Sequence, residues 1–500
     1  MTRVLRQTTR DLRRHNRAAL LSSLYLRGPV SRLELVAESG LSPATVTNVV
    51  AELIGDGVVT EAGSVESDGG RPRTLLRVRP EYGQVVGVDV GETHVRAGLF
   101  DCALGTLATV QHPLASSNPD PAEVVELARA GVAEVLSAGA SRVLGMGVGV
   151  PGAVRDGGIV HAPTLGWAGV AFADLLRAHA QFADAPLHLD NRARTLGQAE
   201  MWLGAGRGAD RAVIALLGVG VGAAFVTDGG SFPGITTSEW GHTVVQAAGA
   251  TCRCGSRGCL EAYVGTEAVL HHYAGTPGAQ PLPGADSESR LAELVALAEA
   301  ETAAAARGRA TGAPGADLAS AAGRSGAATT APGFAAGNHC EGTTGHLGPA
   351  PSASRAPARG PGLAGSGPAE RSGPPVETLA ASAPGPAARG RGPADSGASV
   401  ERSGPAAETL AATGEYLGIG IANLINLLAP DRVVLAGSAG AIMGPAILPH
   451  VRGAAARHAL GYLAEATVVE LGELGPEAVA LGAATLPIAA LLASGGRSAG

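Results

Sequence analysis

Three cysteines and a histidine lie close together near the middle of this 500-residue chain. They are His242, Cys252, Cys254 and Cys259, and the cysteines occupy a glycine-rich turn. Thiolate and imidazole ligands suit zinc, and a closed set of four protein ligands is typical of a structural zinc site. Buried free thiols are the alternative, but this spacing fills no regular apolar face. The pattern predicts a structural zinc centre.

Two carboxylates flank the predicted zinc loop. Glu239 lies three residues before His242, and Glu261 lies two residues after Cys259. A metal-fixed loop would hold hydrogen-bond acceptors in place, as a polar ligand pocket requires. We therefore expect both carboxylates to face a ligand.

Three glycine-rich turns follow or join predicted strands elsewhere in the chain. An acid, a glycine and a hydroxyl in one turn can hold magnesium and let a phosphate approach the backbone. Each turn alone is equally consistent with a polar hairpin tip, but together they have the layout of a two-lobed, actin-like ATPase. The residues are Asp89, Gly91 and Thr93 in the first turn, Gly218 and Gly220 in the second, and residues 437–440 in the third.

Strands alternate with helices from residue 85 onward, which is typical of α/β layers. The predicted strands cover residues 85–90, 95–100, 106–112, 143–150, 212–217, 222–227 and 432–436. The predicted helices cover residues 121–138, 194–203, 286–301 and 413–428.

The first 80 residues predict a helix-turn-helix with a wing. A capping box at Ser31 and Glu34 starts the second helix, which stops near Gly40. Ser42 and Pro43 then start the third helix, and two short strands (58–62 and 74–78) enclose a polar tip. This segment carries twelve arginines against eight acids, whereas the rest of the chain is acidic. A basic module on an acidic body indicates nucleic-acid binding, and a solvated basic face is the alternative.

The third helix and the wing supply the candidate DNA contacts. Recognition helices enter the major groove with the N-terminus leading, and amide and hydroxyl side chains read base edges there. A merely solvated helix face is the alternative for any one residue. The candidates are Ser42, Thr45, Thr47 and Asn48 on the helix and Arg71 and Arg73 on the wing, with Val46, Val49, Val50 and Leu53 predicted as the helix's core face.

Residues 305–404 break the α/β pattern. They are rich in Ala, Gly, Pro, Ser and Arg, and such a composition buries too little apolar surface to fold. We expect a disordered insertion there. The predicted organisation is then a DNA-binding domain (1–80), a first lobe (84–190), a second lobe with the zinc loop (191–304), the insertion, and the remainder of the two-lobed domain (405–495).

These motifs together resemble the ROK family, named for repressors, open reading frames and kinases. His242, nine residues, then Cys-x-Cys-Gly-x-x-Gly-Cys-Leu-Glu over residues 252–261 is similar to its zinc signature. Residues 148–152, 89–93 and 417–430 also look like family segments, and residues 69–72 after the helix-turn-helix resemble the transcription-factor branch. The resemblance covers about residues 10–275 and 405–490 and implies an α/β, sugar-kinase-like fold of two lobes.

The resemblance implies a sugar site that has lost its chemistry. The family's kinases phosphorylate hexoses with ATP, and their general base is an Asp that follows an Asn; here Arg192 follows Asn191. A guanidinium keeps its proton and cannot act as a base. Using Asp190 instead requires a two-residue shift of the alignment, and Val219 replaces a threonine of the second phosphate loop. We expect no phosphoryl transfer and no use of ATP.

The hydroxyl-binding positions of the family are retained as Asn191, Glu239, His242 and Glu261. By the resemblance, His242 would bind zinc through one ring nitrogen and face the sugar with the other. Arg192 would either recognise a carboxylate or phosphate on the ligand or turn outward to solvent.

We therefore predict a sugar-responsive transcription regulator, a repressor, that binds operator DNA as a homodimer or homotetramer. The alternatives are an ATP-dependent hexose kinase with an attached DNA-binding module and a DNA-binding protein whose body only dimerises. Clustered metal-type cysteines, and no apolar run of the roughly 18–20 residues that a bilayer requires, predict a cytoplasmic protein with no membrane partner.

Overall fold

The computed structural model describes residues 9–67, 70–183, 185–227, 230–231, 239–311 and 404–497. The described residues belong to one compact unit. Residues 312–403, which make up most of the predicted insertion, lie outside the described residues, as does the side chain of Arg71.

The N-terminal module has three helices and a three-stranded sheet of order β1-β3-β2. Its elements are α1 (Thr9–Arg27), β1 (Val30–Ser31), α2 (Arg32–Ser39), α3 (Pro43–Gly55), β2 (Val59–Ser67) and β3 (Gly70–Val78).

Local capping explains the helix boundaries of this module. The Ser31 side chain accepts from the backbone of Glu34 while Glu34 accepts in return, and Gly40 ends α2 in the left-handed region. Ser42 caps α3, and the predicted core face of α3 is buried. The wing strands are longer than predicted, because cross-strand pairing continues to Ser67 and Gly70 despite the local glycines.

The first lobe is built on a five-stranded sheet of order β11-β7-β4-β5-β6. β4, β7 and β11 are parallel, and β5 and β6 are antiparallel. The elements are β4 (Gln84–Val90), β5 (His94–Asp101), β6 (Thr106–Pro113), α4 (Pro121–Ser137), β7 (Val143–Val150), β8 (Ala153–Arg155), β9 (Ile159–Ala162), β10 (Trp167–Val170), α5 (Phe172–Arg177), α6 (Ala180–Ala183) and β11 (Leu187–Asn191).

The second lobe repeats this arrangement with a sheet of order β14-β13-β12-β15-β16, in which β12, β15 and β16 are parallel. Two similar sheets are the basis of a two-lobed fold. The elements are α7 (Arg192–Leu203), β12 (Arg211–Leu217), β13 (Val221–Thr227), β14 (Gly230–Ser231), α8 (Glu261–Val264), α9 (Thr266–Gly275), α10 (Ser287–Thr311), α11 (Pro405–Leu428), β15 (Arg432–Ala436), α12 (Ser438–His458), α13 (Gly461–Ala466), β16 (Val468–Leu471) and α14 (Ala478–Ala493).

Several predicted helix boundaries were wrong. α11 starts at Pro405 rather than at residue 413. α10 continues to Thr311, so residues 305–311 are helical rather than part of the insertion. Its last turns are alanine-rich, and alanine has the highest helix propensity. α7 starts at Arg192 rather than at residue 194, because the Asn191 side chain accepts from the backbone N–H groups of Ala193 and Arg194.

The C-terminal helix α14 lies directly on the first sheet. A Cβ at Gly87 of β4 would come within 1.9 Å of the Ala480 carbonyl oxygen, and one at Gly147 of β7 within 1.8 Å of the Ala483 oxygen. Only glycine permits this approach. Among the described helices, the stretch Gly475–Ala493 alone is long and apolar enough to cross a membrane, and 61% of its apolar 18-residue segment is buried inside the protein. Its packing is that of a core helix.

The end of α14 also joins the N-terminal module. Leu20 and Leu24 of α1 share one apolar core with Ile488 and Leu491 of α14. The buried Arg17 of α1 donates through Nε to the Gly495 carbonyl, and its Nη2 pairs with Asp56 at 2.5 Å. The N-terminal module and the body therefore share buried contacts.

Candidate metal centre and ligand cleft

The four predicted zinc ligands converge. The donor atoms of His242, Cys252, Cys254 and Cys259 all lie within 4.8 Å of one another. His242 Nδ1 is 3.6 Å from Cys252 Sγ, and Cys254 Sγ is 3.8 Å from Cys259 Sγ. A tetrahedral zinc with bonds of about 2.3 Å to sulfur places its sulfur atoms roughly 3.8 Å apart. The donor set and its spacing therefore fit zinc.

Glycines allow the metal loop to turn so tightly. Gly258 has a φ of +78°, and a Cβ there would lie 1.8 Å from the Gln246 carbonyl oxygen. Gly255 also has a positive φ, of +89°. Two isolated bridges, Val244 with Cys259 and Thr251 with Arg257, brace the loop. The backbone conformation of the loop by itself brings the four candidate ligands together.

The four residues of the expected sugar site line one cleft. Asn191 and Arg192 enter it from the start of α7, and Glu239 and His242 enter it from the segment before the metal loop. Glu261, the first residue of α8, closes one side. Nδ1 of His242 faces the cysteines, so the opposite edge of the imidazole is left for the cleft. The cleft is narrow, with a volume of about 60 Å³.

Arg192 pairs with Asp89 of the first phosphate-loop turn. Its Nε and Nη2 donate to the two carboxylate oxygens at 2.6 and 3.0 Å. The Arg192 side chain is 17% exposed, so the expectation that it turns to solvent is wrong. Its charge is compensated within the chain, which also removes the argument for an acidic ligand. Burial lowers the pKa of Arg192, but the charge and hydrogen bonds of Asp89 outweigh burial and raise it.

Asn191 is tied into the scaffold on both sides of its amide. Its Nδ2 donates to the Gly152 carbonyl oxygen at 2.7 Å, and its Oδ1 caps α7. Asp190 beside it is half-buried, and burial raises its pKa against the opposing effects of Arg194 and the Asn191 backbone. Because β11 pairs with β7 in parallel, this corner lies beside residues 149–150.

A second arginine bonds two of the acids that line the cleft. Arg253, between two of the cysteine ligands, donates to Glu261 Oε1 at 2.8 Å and to Glu92 Oε1 at 2.8 Å. Glu261 Oε2 accepts from the Val221 backbone at 2.9 Å. Sequence reasoning missed Glu92 as a cleft residue and missed Arg253 as its partner. Each residue lies inside a motif, which could have marked it as a site candidate. The sequence gives no sign that the two residues pair, because 161 residues separate them.

The two phosphate-type turns approach each other at Gly220 and Glu92, and the one hydroxyl they carry, that of Thr93, is bonded within its own turn. Thr93 Oγ1 bonds His94 Nδ1 at 3.0 Å, and Gly91 N–H donates to the His94 carbonyl. In the second turn, Gly218 N–H donates to the Gly220 carbonyl oxygen at 3.0 Å. Val219 lines a neighbouring cavity rather than the cleft.

The N-terminal half of α3 presents its polar residues outward. Ser42, Thr47 and Asn48 are exposed and Thr45 is half-buried. Ser42 Oγ bonds Thr45 Oγ1 at 2.9 Å, and Thr47 Oγ1 donates to the Pro43 carbonyl oxygen. Arg73 is exposed on β3, where it pairs with Val65. One exposed polar helix end and one exposed wing arginine therefore lie on the same module.

The model of the ROK family matches residues 85–319 and 397–490. The chain belongs to the ROK family. This confirms the resemblance found in the motifs. The match includes both lobes, the metal loop and the cleft residues, so this ROK protein has its site within the matched region.

Relatives of this ROK protein include sugar-named repressors. It is 27% identical over 266 residues to the xylose repressor of Caldicellulosiruptor bescii, covering 52% of this chain and 66% of that one. It is also 27% identical over 262 residues to the N-acetylglucosamine repressor of Escherichia coli O157:H7, covering 51% and 63%. The chain thus matches just under two thirds of these relatives' length.

Solved structures of this ROK protein's family show the same fold. A ROK family transcriptional regulator described as a homolog of the E. coli MLC protein has a TM-score of 0.60 at 19% identity, covering 97% of this chain and 98% of that one. A ROK family glucokinase from Streptomyces griseus, in complex with glucose and AMPPNP, has a TM-score of 0.52 at 21% identity, covering 81% and 99%. The predicted α/β fold class is confirmed.

Proposed function

We propose that this ROK protein is a sugar-responsive transcription regulator, a repressor, whose sugar-binding body has lost kinase activity. The Asp89–Arg192 ion pair is the observation that carries this proposal. It places a permanent cation at the expected base position and occupies the acid of the first phosphate-type turn.

Loss of phosphoryl transfer follows from charge and geometry. A kinase of this fold needs a base for the sugar hydroxyl and an acid free to hold magnesium near the phosphates. Arg192 cannot accept a proton, and both oxygens of Asp89 are already hydrogen-bonded to it. The fold similarity to a glucokinase does not supply either group.

Sugar sensing is supported by the cleft and by the relatives' names. The cleft presents Glu239, His242 and Glu261, and an imidazole and carboxylates are suited to sugar hydroxyls. Relatives named for xylose and N-acetylglucosamine suggest a neutral sugar as effector. We propose zinc at His242 and the three cysteines; when bound, the ion would fix the loop and leave no open position for water.

DNA binding is assigned to the exposed end of α3 and to the wing. Thr47 and Asn48 suit base edges, and Arg73 suits phosphate or the minor groove. Two such modules would be needed for a palindromic operator, so we propose a dimer or tetramer. The buried contacts of α14 with α7 and with α1 give a continuous physical connection between cleft and module.

The decisive experiment combines DNA binding with a sugar panel of D-glucose, D-xylose and N-acetylglucosamine. The protein is titrated with genomic DNA fragments selected for binding, in the presence and absence of each sugar. One sugar is expected to change the affinity of the protein for DNA. Failure of every sugar both to change DNA binding and to stabilise the protein thermally would contradict sensing.

A parallel assay measures ATP turnover with the same panel. No turnover above background is expected for the natural chain. Turnover that disappears in Asp190→Ala would instead establish the kinase alternative. Partial activity in Arg192→Asp would show that Arg192, by replacing the base and occupying Asp89, had silenced the site.

A further inference from the structure

The contacts of Arg253 join the two lobes across the cleft. Glu92 lies on the turn between β4 and β5 in the first lobe, whereas Arg253 and Glu261 lie on the metal loop and α8 of the second. The guanidinium bonds Glu92 Oε1 through Nη2 and Glu261 Oε1 through Nε, both at 2.8 Å. We call Glu92, Arg253 and Glu261 the interlobe triad.

The triad is shielded enough for its charges to interact strongly. The side chains of Glu92 and Glu261 are 8% and 6% exposed, and that of Arg253 is 34% exposed. A Cβ at Gly220 would lie 2.9 Å from both Arg253 Nη2 and Glu92 Oε1, so the ion pair packs directly on the second phosphate-type turn. The guanidinium therefore occupies the space between the two turns.

The triad also separates two cavities. The cleft, lined by Glu92 and Glu261, has a volume of about 60 Å³, whereas the neighbouring cavity, lined by Arg253 and Glu261, has about 560 Å³. Pockets that enclose small ligands measure about 300–1,000 Å³. The cleft is thus too small for a sugar while Arg253 bridges the lobes, and the neighbouring cavity offers room for the arginine to move.

We propose that the interlobe triad is a latch that keeps the effector cleft closed, and that an effector must displace Arg253 from Glu261. This inference rests on the proposed sugar-sensing function. The latch makes Arg253 a determinant of effector affinity. The free energy needed to break the ion pairs of Arg253 reduces the net binding free energy of the sugar. A ligand that needs a minor open state binds more weakly in proportion to that state's population.

The test measures sugar affinity by calorimetry in the zinc-loaded full chain. Glu92→Gln/Arg253→Met removes the latch without leaving Glu92 charged and unpaired, and Glu261 keeps its hydrogen bond from the Val221 backbone. Glu92→Gln alone cuts only the interlobe contact, and it serves if the double variant folds poorly. Arg257→Met is the matched control, because Arg257 lies on the same loop and bonds only Thr251 Oγ1 among the contacts described for it.

The double variant is expected to bind a sugar of the panel about tenfold more tightly, corresponding to a closed state populated to about 90%. Glu92→Gln should bind with intermediate affinity, and Arg257→Met should match the natural chain. Because Glu92 and Glu261 are largely buried, salt screens these ion pairs only weakly, so the double variant should keep its tighter binding at both about 0.05 and about 0.5 M salt.

The outcomes distinguish failure of the latch from failure of sugar sensing. Equal affinity of the natural chain and the folded latch variants would overturn the latch and leave sugar sensing intact. Binding seen only in the latch variants would support the latch. Absence of binding in every variant would overturn both the sensing function and the latch that depends on it.

Discussion

Removing one partner of the Asp89–Arg192 pair should destabilise the protein more than removing both. The two hydrogen bonds measure 2.6 and 3.0 Å, and the side chains are 2% and 17% exposed. Unit charges about 4 Å apart attract by about 4 kcal/mol at an effective dielectric constant of about 20. Desolvation of both groups offsets part of that attraction.

The magnitude follows from the charge that each variant leaves behind. Asp89→Asn leaves a guanidinium, and Arg192→Met leaves a carboxylate, without its partner at a largely buried site. Each change should cost about 3 kcal/mol. The double variant leaves no unpaired charge and should cost less than either single variant, so the coupling energy should exceed about 3 kcal/mol.

Urea unfolding of the four proteins in a double-mutant cycle measures this coupling. The control cycle uses Arg211 and Asp431, whose ion pair of 2.9 Å is 52% and 43% exposed. Exposed pairs of that kind contribute below about 1 kcal/mol. Single-variant losses that add up in the Asp89–Arg192 double variant would refute the reasoning, since additivity means that the two charges do not depend on each other.

Three further outcomes are expected. Cys254→Ser should lose most of its metal by mass spectrometry and lower the melting temperature by several degrees, because a ligand of the proposed closed set is removed; unchanged metal content would contradict the site. Arg17→Met should cost about 2 kcal/mol in urea unfolding by leaving the Gly495 carbonyl unpaired, and it should weaken the response of DNA binding to sugar; an unaltered response excludes this route. Asp190→Asn should raise the melting temperature at neutral pH, because burial raises the pKa of Asp190 above 3.8 in the folded protein. Protonated Asp190 therefore stabilises the fold below that value, and this contribution is lost as pH rises through the folded pKa. If thermal scans show no gain at neutral pH, that pKa is not raised.

Motifs with short spacing were predicted well. The cluster of His242 with the three cysteines, the capping box at Ser31 and the N-cap at Ser42 each lie within one loop or one helical turn, so local spacing is enough to predict that these residues meet. The convergence of Asn191 with Glu239, His242 and Glu261 followed only from the family resemblance. Spacing along the chain carries no information about which distant segments meet.

Pairs between distant segments were predicted poorly. Arg192 was expected to bind a ligand or solvent, and it meets Asp89, 103 residues away, because β4 and β11 both lie beside β7 and end at the same edge of the sheet. Asn191 was expected to bind sugar, and it also caps α7. The extent of α10 was underestimated because its final turns are composed of small residues that resemble the insertion.

The residue types alone establish which chemistry is available: thiolates and an imidazole for a metal, carboxylates for hydroxyls, and an arginine where a base is needed. Folding establishes which of those groups are free. In the folded protein, Arg192 pairs with Asp89, and Arg253 pairs with Glu92 and Glu261. Ion pairing depends on distance and burial, and both arise only when the two sheets, α7 and the metal loop come together.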